Sequence, residues 1–338
     1  MNAKAINPQR REIKTAAHKG DFWKPCPGTS DDYLCCGYQI LTPMTGCGMY
    51  CCYCVLQVYF DHQHQTFFEN FDDLENEVHR KMGEYETAGA AASHSSRRHV
   101  VRIGTGEFSD SLFQETKLGL SKKVAAIFDR YDNVLVEFKT KSTDISTLNQ
   151  IKTPKKAVIG FSVNTETVVS RLEKGTAPII ERLKAARRCA DMGFNVAFHF
   201  DPVVWYNGWE EEYCQAVSMI YDHIGDVRKI AWCSMGGFRC MPSLKGELRR
   251  LGMDLPLFAG EMILGADGKL RYPRPLRVDF YRAIDSQFKK HQPGAPLYLC
   301  MESREVWEEC GMYGRIAGYE IDPLTSFLDD RARIILSL

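Results

Sequence analysis

Cys47, Cys51 and Cys54 stand in the run Gly46-Cys47-Gly48-Met49-Tyr50-Cys51-Cys52-Tyr53-Cys54, a C-x3-C-x2-C spacing with an aromatic before the last sulfur. A cubane iron–sulfur cluster takes one thiolate per iron. A tight loop that offers three thiolates leaves one iron for a ligand that is not protein, and that open iron makes the spacing chemical. Two other readings draw on neighbouring residues. Zinc prefers four N or S ligands, usually as two separated pairs. Cys52 adjoins Cys51 and is badly placed for the same metal, so a fourth zinc ligand would come from Cys26, Cys35 or Cys36. The same three upstream cysteines are also the candidates for an auxiliary cluster. Disulfides fit less well: the 13 cysteines are odd in number, no apolar signal segment opens the chain, and 338 residues can build a core without staples.

A loop of this kind needs a scaffold, and the pattern supplies one. After a polar, proline-bearing arm over 1–30, Tyr38–Leu41 begins an alternation of β-rich runs and helix-period stretches. The further runs are Val100–Ile103, Val134–Phe138, Ala157–Phe161, Val196–Phe200 and Ile230–Cys233, which makes six βα units. The periodicity predicts helices over 70–86, 111–130, 178–192 and 209–224. Short apolar strands separated by helices imply a parallel sheet, read here as buried on both faces. Working residues of parallel βα folds gather at strand C-terminal ends, and the cysteine loop follows the first strand. Residues 88–96 read as a small, polar, flexible loop. Beyond residue 240 the pattern changes to a hairpin over 261–272 with Asp267-Gly268 at its turn. A helix near 276–290 and a strand Leu297–Cys300 follow. The division is an arm over 1–30, a barrel over 31–240 and an extension over 241–338.

The strand ends carry the remaining candidates. Gly106 and Glu107 close the second strand, where a glycine admits close approach and a carboxylate accepts from an ammonium. Lys139 stands at the third, suited to pairing with a carboxylate. Ser162 and Asn164 follow the fourth, as ligand-binding groups, as caps for the next helix, or as both. His199 and Asp201 lie on the fifth and are candidates to line a substrate pocket.

The cysteine motif resembles that of radical S-adenosylmethionine (SAM) enzymes. Within them, Cys47–Gln57, Lys139 in its context, Phe161–Asn164, Gly193-Phe194, Gly208–Glu210 and Gly268–Tyr272 are similar to the spore photoproduct lyase family over about residues 38–300. The resemblance implies an α/β fold, a partial (β/α)6 barrel with a C-terminal hairpin and helix extension. It implies a 4Fe-4S cluster on Cys47, Cys51 and Cys54 whose fourth iron SAM chelates. Glu107 with Gly106, Lys139, Ser162 and Asn164 would then hold SAM, and Tyr53 would pack beside the cluster. One electron, from a donor such as flavodoxin or ferredoxin, would release a 5′-deoxyadenosyl radical that abstracts hydrogen from substrate. In the lyase the substrate is a thymine dimer in spore DNA, and Lys269, Arg271, Arg274 and Arg277 at the hairpin would approach the phosphates.

Two positions depart from the family pattern. The cysteine that returns hydrogen to the product radical is Gly104 here, and the tyrosine directly after the cluster loop is Val55. Cys233 and Cys240, at the sixth strand, are the thiols considered as replacements. Repair of a DNA lesion therefore stands beside two alternatives, a radical enzyme acting on a peptide or small molecule and a non-enzymatic zinc or iron–sulfur module. Lys plus Arg and Asp plus Glu are 43 each, so the net charge lends no support to a dedicated nucleic-acid binder. No apolar run is long enough for a membrane, and a thiol-rich chain without an export signal suits the reducing cytoplasm.

Overall fold

The computed structural model describes residues 12–60, 64–91, 100–250, 256–258, 260–320 and 322–337. Its centre is one eight-stranded sheet of β1 (Trp23–Pro25), β2 (Gln39–Leu41), β3 (Val101–Gly104), β4 (Val134–Thr140), β5 (Ala157–Ser162), β6 (Asn195–Val203), β7 (Ile230–Gly237) and β8 (Leu297–Leu299). The strands lie side by side in chain order, with β2 to β8 parallel and β1 antiparallel at the β2 edge. Each βα unit adds its strand to the same side, as right-handed crossovers require.

The sheet is strongly curled. Trp232 on β7 donates its indole N–H to Glu137 on β4 at 3.2 Å, although three inter-strand steps in a flat sheet would separate them by about 14 Å. The strands alternate by face. Phe198 and Phe200 of β6 belong to the convex face, where Phe200 packs against Tyr213 and Phe288 of the covering helices. His199 turns inward. The concave face is polar, carrying Arg102, Glu137, Lys139, His199 and Ser234. The strands are buried on both faces, as the sequence pattern implied, but the concave face buries polar side chains among the apolar ones.

The helices that cover the sheet include α1 (Phe71–Ala91), α2 (Leu120–Phe128), α3 (Ile179–Asp191), α4 (Trp209–Ile224), α5 (Arg274–His291) and α6 (Pro323–Ser337). The long helix expected over 111–130 is instead two pieces, Glu115–Leu118 and α2, because Gly119 sits at φ +54° and breaks the hydrogen-bond ladder. The arm is partly ordered: Ile13–Ala16 pairs parallel with Gln65–Phe68, and β1 brings Phe22 and Trp23 into the core. Of the loop expected at 88–96, the first residues belong to α1 and residues 92–96 lie outside the described residues. The sheet holds seven parallel strands where six were expected, because Leu297–Leu299 joins β7 through Cys233–Leu297, Ser234–Tyr298 and Met235–Leu299. The hairpin forms as expected, Ile263–Leu264 against Leu270–Arg271 with Gly268 at φ +73°, and Arg239–Cys240 adds a third strand. Among the described residues no helix is long and apolar enough to cross a membrane.

Candidate active site

The cysteine loop sits at the C-terminal mouth of β2 and is pinned on two sides. Gly46 donates its N–H to Phe108 O at 2.8 Å, and Cys52 donates to Leu172 O at 2.8 Å. Tyr50-Cys51 pairs antiparallel with Glu173-Lys174. Cys54 lies close enough to Cys47 and Cys51 to raise the pKa of both. Burial pushes Cys47 up to about 12 and Cys51 well above its ordinary value. Protonated, buried thiols are a costly place for bare thiolates and a good one for thiolates compensated by iron. The Met49 N–H lies 3.4 Å from Cys47 Sγ, the kind of backbone donor that steadies a thiolate. Three cysteine thiols on one loop are the soft donor set that an iron–sulfur cluster takes. Among the described residues no three His, Cys, Asp or Glu side chains are disposed to hold a single metal ion.

Behind the loop lies a buried charge platform that sequence reasoning missed. Glu173 and Arg182 form a 2.6 Å ion pair with 1% and 0% side-chain exposure. Arg182 also donates to Ala177 O at 2.8 Å, Ser162 O at 3.0 Å and Thr176 Oγ1 at 2.7 Å. The Tyr53 hydroxyl donates to Glu173. Lys141 completes the set, with its ammonium 5.8 Å from the centre of the Tyr53 ring. Burial works to lower the Lys141 pKa, but Glu173 and the sulfurs of Cys51 and Cys54 outweigh it and raise it. The lysine beside the cysteines is thus Lys141. Lys139, two residues earlier, acts instead on Glu137, His199 and Asp201 in the interior.

The other candidates divide in the same way. A Cβ at Gly106 would lie 2.7 Å from Lys139 Cβ, so this position has no room for a side chain. Glu107 reaches the neighbourhood of Cys26. Ser162 ends β5 beside the platform. Asn164 is committed, giving Nδ2 to Pro202 O at 2.9 Å and accepting from Tyr213 at 2.7 Å, while Thr165 caps the next helix through Val168 N. Asp110, unremarked in the sequence, ties the β3 and β4 ends together by accepting from Thr140 at 2.6 Å and from the Lys141 N–H at 2.7 Å. Its signal was an Asp flanked by serines after a glycine turn, too common to single out.

In the interior, His199 Nε2 lies 2.7 Å from Glu137 Oε1, and its Nδ1 lies 2.7 Å from Ser234 Oγ. Desolvation lowers the His199 pKa, only partly opposed by Glu137. For Glu137 desolvation is again the largest influence and acts upward, but His199, Tyr38 and Lys139 together carry the carboxyl below its usual range. Asp201 pairs with Arg239 through two contacts of 3.1 and 3.2 Å. Cys233, considered as a hydrogen donor, faces the convex side near Tyr221 and Arg331. Cys240 is buried beside Tyr272. The thiols that do share the interior's electrostatics are Cys36 and Cys300, with Cys26 beside them. Each hairpin cation has a partner: Arg271 with Asp267 at 2.7 Å, Lys269 with Asp267 at 3.7 Å, Arg277 with Glu302 at 2.9 Å, and Arg274 with Glu309. Arg271 and Arg277 are also buried, so phosphate contacts there would first have to break internal pairs.

An open half-barrel of in-order parallel strands, with a three-cysteine loop after the first of them, is the fold of radical SAM enzymes. Residues 35–231 match the family described as spore photoproduct lyase, and the chain belongs to that family. It is 27% identical over 170 residues to the spore photoproduct lyase of Geobacillus sp. (strain Y412MC61) and 26% identical over 170 residues to that of Bacillus subtilis (strain 168). Those stretches cover 50% of this chain and 47% and 46% of the relatives, so the chain spans about half the length of the curated relatives it matches. A solved cysteine-to-alanine mutant of spore photoproduct lyase superposes with TM-score 0.72 at 20% identity, over 85% of this chain and 82% of its own. A double mutant with bound AdoMet and dinucleoside spore photoproduct gives 0.72 at 19%, over 86% and 82%. At such identity the likeness is one of fold.

Proposed function

We propose that this chain is a radical SAM enzyme in which Cys47, Cys51 and Cys54 hold a 4Fe-4S cluster. The observation that carries the reading is a three-thiol loop at the mouth of a parallel half-barrel, with the Lys141 ammonium beside its sulfurs. When bound, the cluster and SAM supply a one-electron cleavage that yields a hydrogen-abstracting deoxyadenosyl radical. The chain's part is to bind, orient and exclude water. Lys141 is the cation for the SAM carboxylate, with Ser162, Gly106 and Glu107 as neighbouring contacts. Tyr53 braces the loop through Glu173, and Asn164 acts by holding the β5–β6 ends together. Lys139 serves the substrate side. The electron comes from a partner of the flavodoxin or ferredoxin class.

The substrate reading follows the interior. Lys139, His199 and the Asp201–Arg239 pair make a charged concave face, and Arg102 leaves Nε and Nη1 without partners among the described residues. This favours a small molecule or peptide with its anionic group near the reacting centre, whereas a thymine dimer in DNA carries its charge on the flanking phosphates and presents neutral bases. The internally paired hairpin and the side-chain-free Gly104 point the same way. DNA repair remains the competing assignment, and it requires duplex binding that weakens steeply with salt.

The test is anaerobic reconstitution. Wild type should bind about four irons per chain and form deoxyadenosine with SAM and dithionite. Cys47→Ala should lose both. A Cys47→Ala protein that keeps its cluster and its cleavage would refute the ligand assignment.

A further inference from the structure

A Cβ built on Gly104 would lie 1.7 Å from the Tyr38 hydroxyl oxygen and 2.7 Å from its ring carbon Cζ. The phenol of Tyr38, the residue just before β2, therefore occupies the space that any side chain at position 104 would fill. Position 104 ends β3 on the concave face. Tyr38 is half-buried, and Gly104 pairs with Glu137 across the β3–β4 ladder, so the hydroxyl that fills the Gly104 gap lies beside Glu137, whose carboxylate helps keep the phenol protonated. From there the polar contacts continue to His199 at 2.7 Å and on to Ser234 at 2.7 Å, with Trp232 also donating to Glu137 at 3.2 Å. A second glycine makes room for this chain of contacts: a Cβ at Gly160 would lie 2.6 Å from Glu137 Oε1 and 2.9 Å from His199 Nε2. Two strands thus omit side chains where a phenol, a carboxylate and an imidazole meet inside the half-barrel.

We infer that Tyr38 is the hydrogen-atom donor of this site and that Glu137 and His199 are its positioning and proton-relay groups. The inference rests on the radical reading above. A carbon-centred radical in the interior takes the hydrogen atom of the Tyr38 O–H: one C–H bond forms, one O–H bond breaks, and Tyr38 is left as a neutral phenoxyl radical. An O–H of phenol is weaker than the C–H bond of an unactivated carbon, so the transfer runs downhill. One electron from a one-electron donor of the flavodoxin or ferredoxin class, with one proton through His199 and Glu137, restores the phenol. Burial, reinforced by Glu137, keeps the hydroxyl protonated far above neutral pH, so the hydrogen is present when needed.

The decisive measurement needs no substrate. The full chain, reconstituted anaerobically in D2O with SAM and dithionite, should yield deoxyadenosine carrying one deuterium from an exchangeable O–D, together with a phenoxyl signal in electron paramagnetic resonance. Any deoxyadenosine formed by Tyr38→Phe should draw its hydrogen from a non-exchangeable C–H and so lack both the deuterium and the signal, while Cys36→Ala and Cys300→Ala should keep them. Deuterium retained in Tyr38→Phe, or lost in either cysteine variant, overturns the assignment. Melting of the apoprotein provides a readout that needs no cofactor. Gly104→Ala should lower Tm in the wild-type background and lower it clearly less in a Tyr38→Ala background, where the phenol is gone and only the Glu137 backbone oxygen, 3.0 Å from the new Cβ, still crowds it. Equal shifts in both backgrounds would mean the phenol is not at position 104. Absence of deoxyadenosine from wild type removes the radical reading, and the melting cycle still reports the phenol's position separately.

Discussion

Glu173 and Arg182 carry their charges at essentially zero exposure directly behind the cysteine loop, and one of them alone would be far more costly than the pair. Removing one partner of a buried ion pair typically costs about 3–5 kcal/mol, because the other charge is left uncompensated. Glu173→Gln is therefore expected to lower the denaturant midpoint strongly and to loosen the loop, since the one acceptor oxygen of Gln cannot serve both Tyr53 and Arg182. Urea titration of the apoprotein with unchanged m-value is the check; a shift below about 1 kcal/mol would be too small for this mechanism. The two lysines at β4's end differ in their surroundings, Lys141 beside the cysteines and Lys139 beside Glu137 and His199. Lys141→Met should weaken SAM binding to the reconstituted protein, whereas Lys139→Met should leave it near wild type. Equilibrium binding of SAM distinguishes them, and the reverse order would return the carboxylate contact to Lys139.

At the scale of elements, β4, β6 and β7 act together through Glu137, His199 and Ser234, and the coupling has a pH signature. The His199 pKa lies below its ordinary 6.5 in the fold, so the unfolded chain takes up that proton first, and stability falls as pH drops from 6.5 towards the folded value. Glu137 is held below its ordinary 4.5. Its contribution is complete above 4.5 and is lost as pH falls through the folded value. Both losses lie on the acid side. The urea midpoint should therefore decline between about pH 6.5 and about pH 5, and His199→Gln should flatten that limb. Lys139 and Asp201 face the same imidazole and act in opposite directions on it. A midpoint that rises on acidification over this range would contradict the assignment of a neutral His199.

For the whole molecule, the sheet does not end where the βα repeat ends. β8 arrives from residue 297, Arg331 of α6 donates to Ala231 O at 2.9 Å, and the buried Trp307 belongs to the same continuous core. A chain cut after residue 240 would expose the β7 edge and the apolar convex face of β6 and β7, both of which invite aggregation. Such a fragment is expected to be insoluble or unfolded by circular dichroism and gel filtration. A monomeric, cooperatively melting 1–240 fragment would show that the extension is dispensable for folding.

Much of this protein was readable from local pattern. Cysteine spacing is a property of one loop, strand and helix periodicities are properties of short windows, and an Asp-Gly turn needs only its neighbours. The three-thiol loop, the alternation of strands and helices, the α4 boundaries at 209–224 and the hairpin all follow from such signals. Which residues share the interior did not. The curl of the sheet brings Glu137 to Trp232 across 95 positions and sets the Tyr38 hydroxyl into the gap left by Gly104, and no window of sequence contains both ends of either contact. The position of Lys141 beside the cysteines, the burial of the Arg271 and Arg277 charges and the outward turn of Cys233 were decided in the same way. A side chain's partners depend on where distant strands close around it, which is a property of the folded sheet and not of the segment.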